Sequence, residues 1–146
     1  MAMWKVIVKP SANPHAWEML FRDGGFVAIG FRGRDDDSSV AHFRDQVRVG
    51  NWVLAHLPRD ISGAPHLAVG LGKVAGPYEE RAPEANQKWN GPLMRRRDVE
   101  WVSTERRTMP PSLRHSNYRK TVAKLTSEQE RDVLSDYRLR GGGDGP

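Results

Sequence analysis

The feature that most limits what this chain can become is the brevity of its apolar runs. Five stretches read as strands: "WKVIVKP" (4–10), "FVAIGF" (26–31), "WVLAHL" (52–57), "HLAVGLGKVAGPY" (66–78) and "RRDVEWV" (96–102). Glycine, proline, asparagine or aspartate punctuates the chain between them, so each run has strand length and none supports a long helix. Trp4, Val6 and Val8 alternate, which predicts a half-buried strand. The 26–31 run is apolar on both faces and reads as central in a sheet. A short loop, "RDISGAP" (59–65), joins two runs, which predicts antiparallel neighbours. Glycines within 66–78 invite bending, and Val99 and Trp101 share one face.

Helical spacing fills the gaps. Asn13 can cap a helix that begins at Pro14 and places Trp17, Leu20 and Phe21 on one side, with "DGG" (23–25) ending it. Val40, Phe43 and Val47 recur at helical spacing after a cap at Asp37 or Ser38. Asp35 to Asp37 resemble a metal cluster, but acidic residues ahead of a helix suit its dipole. Gly50-Asn51 is a turn. After "MPPSL" (109–113), "YRKTVAKL" (118–125) reads as helical. "TSEQERDVLSDYRL" (126–139) reads as the last helix, with Ser127 and Glu130 as a capping box and Val133, Leu134 and Tyr137 on its apolar side. The order predicts an α+β fold, a bent mixed sheet forming an open barrel of about five to six strands flanked by helices. It is one domain over 1–140 with a flexible glycine-rich tail at 141–146.

A chain of 146 residues, 38% hydrophobic and 28% charged, can bury a core of its own. With no cysteine, disulfides and zinc–thiolate sites are excluded. No run has the length of a membrane span and the start lacks a signal-peptide pattern, so the expectation is a cytoplasmic protein without membrane contact. The net charge of +5 is concentrated: between Arg95 and Lys120 eight Arg or Lys face three Asp or Glu, and the remaining 15 of each sign cancel. Such a segment suits a surface that meets phosphates, or simply a solvated basic face.

Catalytic constellations are not legible. The histidines, His15, His42, His56, His66 and His115, have no metal-ligand spacing. "GLGKVAG" fails the dinucleotide fingerprint, no phosphate loop or nucleophile elbow is present, and His66 near Asp60 suits an ordinary surface or part-buried pair. The reading is a binding module with no catalytic residue, no metal and no cofactor. Were it a small nucleotide-acting enzyme, Glu79 and Glu80 after "GPY" would be the first residues to mutate.

Trp4, Trp17, Trp52 and Trp101 fall on apolar faces and suit the core. Trp89 lies in a polar loop, "EERAPEANQKWNGP" (79–92), immediately before three arginines. It can be a lid on the core or a stacking wall. Aromatic faces stack on nucleobases for roughly 1–3 kcal/mol per base, while arginines hold phosphates. Extruding a base costs a few kcal/mol, which two walls, polar edge contacts and phosphate clamps together can sustain.

The ordered elements "WKVIVKPSANPHAW", "GGFVAIGF", "VRVGNWVLAHL", "LAVGLGKVAGPYE" and "RRRDVEWV" resemble the EVE-like branch of the PUA-like superfamily, kin to YTH domains, over residues 4 to 125. Gly-Asn stands where relatives usually show Gly-Asp, and Phe31 where they often have tryptophan. Members include the modified-base-reading domains of modification-dependent restriction systems. The resemblance implies a bent barrel-like sheet and a module that flips a modified base, a modified cytosine or methyladenine, into an aromatic cage. By position it implies that Ser11 and Asn13 meet the base edge and that Phe31, or Trp17 in its place, and Trp89 form the walls. Arg32, Arg95, Arg96, Arg97, Arg106 and Arg107 are expected to hold the backbone. The implied partner is nucleic acid, modified DNA ahead of RNA, with a nuclease or NTPase acting in trans. The alternatives are a general RNA- or DNA-binding module without modification preference, the small enzyme above, or a domain whose basic face meets an acidic protein.

Overall fold

The computed structural model describes residues 1–8, 17–29, 38–58, 66–84, 89, 93–113 and 121–138. Ser11, Asn13, Phe31 and Arg32 lie outside them, as do Asp35 to Asp37, the 59–65 loop and the 141–146 tail. The described strands are β1 (Met3–Ile7), β2 (Phe26–Ile29), β3 (Trp52–Leu57), β4 (Leu67–Val74), β5 (Glu79–Arg81), β6 (Met94–Ser103), β7 (Arg107–Thr108) and β8 (Val122–Lys124). Six of them run in the order β2-β6-β4-β3-β1-β8, with β5 beside β6 and β7 beside β4. β1 and β3 are parallel and every other pair is antiparallel, so the sheet is mixed.

The sheet curls into a half-barrel for local reasons. The ladders shift register between Ala55 and His56 and between Leu71 and Gly72, and each irregularity adds bend and twist. A Cβ at Gly72 would lie 2.6 Å from Val99 Cγ1 and 2.7 Å from the Glu100 carbonyl, so only glycine lets β6 come this close. β6 turns from one arm of the sheet to the other: Arg95 to Asp98 pair with β2, and Val99 to Ser103 pair with β4.

Strand alternation then builds two cores. Trp4, Val6, Val53, Ala55, Val69, Val74 and Val99 belong to one buried cluster, which also takes in all four residues of β2. The helix Glu18–Arg22 and the helical stretch Ser38–Ala41, continued by His42–Gln46, contribute Leu20, Phe21, Val40 and Phe43 to that same core. Met3, Trp52, Leu54 and Leu71 belong to the second cluster, under Leu113 and the C-terminal helix Ser127–Asp136. Gly25, at φ +70°, donates to the Phe21 carbonyl at 2.9 Å and ends the first helix.

Three expectations need correction. The 26–31 run is not central: among the described residues β2 pairs with β6 alone. Its four residues are buried because the first helix covers one face and the Arg96 guanidinium lies 3.7 Å over the Phe26 ring. "YRKTVAKL" is not helical across Val122–Lys124, which pairs antiparallel with β1, Val6 opposite Val122 and Trp4 opposite Lys124. An open strand beside β1 outweighs the weak helix preference of three residues. The last helix is capped one residue earlier than expected: Thr126 accepts from the Gln129 N–H at 3.2 Å and Gln129 Oε1 accepts from the Thr126 N–H at 2.9 Å. Val133, Leu134 and Tyr137 form its buried side as expected.

Candidate nucleic-acid interface

The first helix gathers five aromatic rings that are scattered in sequence. Phe21 lies 5.3 Å from Phe26 and 6.1 Å from Trp89, tilted by 54° to the latter. Trp17 meets Trp101 edge-on at 5.5 Å, and the Trp101 indole N–H donates to the Phe21 carbonyl at 3.1 Å. β2 ends at Ile29 opposite Arg95, so the chain leaves β2 beside the start of β6. Trp89 stands just before that start, and its indole N–H donates to the Leu93 carbonyl at 3.0 Å.

Trp89 is half-buried and rests on the aromatic core. The ring is held by Phe21 on the inside and by Leu93 at its nitrogen, and part of it meets solvent. Trp17 is 1% exposed, so it turns no free ring face outward. Phe21 escaped sequence reasoning as a site residue because its spacing marks only a helix face. Nothing in one sequence announces that it supports Trp89 from so far away.

The arginine run is placed inside the fold. Arg95, Arg96 and Arg97 are 3%, 9% and 5% exposed. Beyond its stack on Phe26, Arg96 reaches Asp98 at 3.3 Å and Glu79 at 3.6 Å. Arg97 donates to the carbonyls of Phe43 (3.1 Å), Arg44 (3.1 Å) and Val47 (2.6 Å), and to that of Gly76 at 3.4 Å. Those first three carbonyls end the second helical stretch, where unpaired C=O groups and the helix dipole attract a cation. Burial pushes the Arg97 pKa down from its ordinary value, with the nearby Arg48 charge adding to the effect. Each guanidinium nitrogen of Arg97 is thus engaged by a backbone carbonyl inside the fold. Arg106 and Arg107 differ. Their side chains are 43% and 31% exposed, Arg106 pairing with Glu18 and Arg107 with Glu105.

The groups considered for chemistry are occupied elsewhere. Glu80 accepts from the Tyr78 hydroxyl at 2.7 Å, and Glu79 pairs with Arg81 at 3.0 Å. His66 bonds His56 at 2.8 Å, and His56 lies 3.4 Å from the Lys5 ammonium. Burial, then the charge of Lys5, then His66 depress the His56 pKa to about 3, so this ring is neutral at physiological pH. Among the described residues no group of three His, Cys, Asp or Glu is placed to hold a metal ion, and no helix is long and apolar enough to cross a membrane.

No family model and no curated protein matches the chain. Solved structures do. The YTH domain of Pho92, in complex with m6A, has a TM-score of 0.58 at 11% identity, covering 97% of this chain and 85% of that one. Human THYN1, in complex with 5-methylcytosine-containing DNA, has a TM-score of 0.53 at 14% identity, covering 96% and 99%. Protein PSPTO5229 from Pseudomonas syringae has a TM-score of 0.55 at 14% identity, covering 94% and 100%. At such identities the likeness is one of fold: the chain has the PUA-like α+β fold, shared with YTH and EVE-like domains.

Proposed function

We propose that this protein is a non-enzymatic nucleic-acid-binding module that takes one modified base out of its strand into a pocket beside Trp89. The observation that carries the reading is the fold itself, in common with two proteins whose structures hold m6A and 5-methylcytosine-containing DNA. Trp89 adds to it: a half-buried indole backed by Phe21 is a stacking wall already fixed in place, so a base stacking on it need not order the ring. Ser11 and Asn13 serve the base edge, and Phe31 the second wall. Modified cytosine or methyladenine in DNA is the favoured ligand and RNA the alternative, with a nuclease or NTPase acting in trans.

The burial of Arg95 to Arg97 favours a pocket over a purely electrostatic surface. A charge-driven binder needs exposed cations, and here three of the basic segment's arginines are buried. Arg106 and Arg107, with Arg32, are the cations assigned to the backbone. The test is a titration with single-stranded DNA 12-mers that differ only at one central base: cytosine, 5-methylcytosine, adenine or N6-methyladenine. One modified strand binding at least fivefold more tightly than its parent supports the reading. Equal affinity within both pairs rejects it in favour of a general nucleic-acid binder.

A further inference from the structure

Trp17 opens the first helix. It has no free ring face. Its six-membered ring lies against Gly70, where an added Cβ would sit 3.0 Å from Cη2, and its flank meets the edge of Trp101. Its indole nitrogen differs from those of Trp4, Trp89 and Trp101. Trp4 donates to Asn51 Oδ1 at 3.2 Å, Trp89 to the Leu93 carbonyl and Trp101 to the Phe21 carbonyl. The Trp17 N–H is buried and meets no acceptor among the described residues.

A buried donor left unpaired costs stability, and such groups are few in folded proteins. This one stands on the helix whose next turn, through Phe21, supports Trp89. We infer that the Trp17 N–H is a specificity donor, meeting an acceptor atom, a ring nitrogen or a carbonyl oxygen, on the edge of the extruded base. The inference rests on the base-pocket reading above and changes the part Trp17 plays in it from wall to edge contact. An indole donates and cannot accept. A base that turns an amino group to this position therefore faces donor with donor and is rejected, whereas a correctly turned acceptor completes the site.

The experiment follows the indole N–H signals of 15N-tryptophan-labelled protein, assigned with Trp→Phe variants, as the 5-methylcytosine and N6-methyladenine 12-mers are added. The Trp17 signal is expected to move downfield further than those of the other four tryptophans on binding of the preferred strand, and its solvent exchange to slow. Trp17→Phe, which keeps a ring and removes the N–H, is expected to bind that strand about tenfold more weakly. The labelled wild type reads the same contact without relying on the variant's fold. Tight binding with an unmoved Trp17 signal overturns the inference and leaves the base-pocket reading intact. A long-lived water on this N–H, present both free and bound, also overturns it. Failure of both strands to bind removes the inference and the base-pocket reading together.

Discussion

Two basic stretches lie fewer than ten residues apart and have opposite fates. Arg95 to Arg97 sit within β6, paired with β2 on one edge and β5 on the other, and are almost wholly buried. Arg106 and Arg107 sit where the chain turns from β6 into β7; Arg106 is exposed and pairs with Glu18, and Arg107 is half-buried, paired with Glu105 and lying over the Tyr137 ring. In the sequence both read as one positive patch. In the fold the first is internal scaffolding: a guanidinium can be buried when carbonyls or an aromatic face replace its water. The second stretch brings its side chains nearer to solvent, Arg106 more than Arg107. Clustered charge in a sequence is therefore an upper limit on a phosphate footprint.

The largest expected effect tests the buried stretch. Arg97→Met keeps the bulk but strands the carbonyls of Phe43, Arg44, Val47 and Gly76. It should cost about 3 kcal/mol or more of stability in urea denaturation. A loss under half a kcal/mol would erase the contrast between the two stretches. The His56 site extends the comparison to a buried group that can change charge. Its folded pKa, near 3, lies below the ordinary 6.5, so the unfolded chain binds more protons between those values. The sign follows: this contribution is complete above pH 6.5 and is lost as pH falls towards about 3, by up to about 1.4 kcal/mol per pH unit. Unfolding midpoints measured from pH 7 to pH 4 should fall accordingly, and His56→Gln should flatten the slope.

Smaller effects separate binding from stability. Trp89→Ala should weaken binding of the preferred modified strand roughly tenfold or more, in line with the loss of one base-stacking contact of about 1–3 kcal/mol, while circular dichroism stays native. Unchanged affinity would return Trp89 to the role of a lid. The smallest change belongs to the exposed stretch. Arg106→Ala should shift stability by less than about 0.5 kcal/mol and should reduce the slope of log affinity against log salt by about one unit.

Much of this fold was legible from periodicity. The shared face of Trp4, Val6 and Val8, the turn at Gly50-Asn51 and the antiparallel pairing of 52–57 with 66–78 follow from local pattern, and the structure has them; β1, expected to be half-buried, is instead buried on both faces between β3 and β8. What escaped depends on partners distant in sequence. β8 is three residues whose strand character comes from the open edge of β1. β2 looks central because both faces are apolar, yet one covering group is a helix and another is an arginine laid on Phe26. The Lys5–His56–His66 chain joins β1, β3 and the residue just before β4, and becomes visible only when register is known. For the candidate site, Trp89 stood out because nothing around it repeats. Ser11, Asn13, Phe31 and Arg32 lie outside the described residues, and their roles belong to the proposal.

The most direct measurement is the affinity ratio between a modified strand and its unmodified parent, taken at several salt concentrations. A pocket that reads the base adds a short-range contribution that salt leaves alone, while phosphate contacts weaken both strands alike. The account expects both affinities to fall with salt and their ratio to stay constant at fivefold or more. A ratio of one at every salt concentration would contradict it.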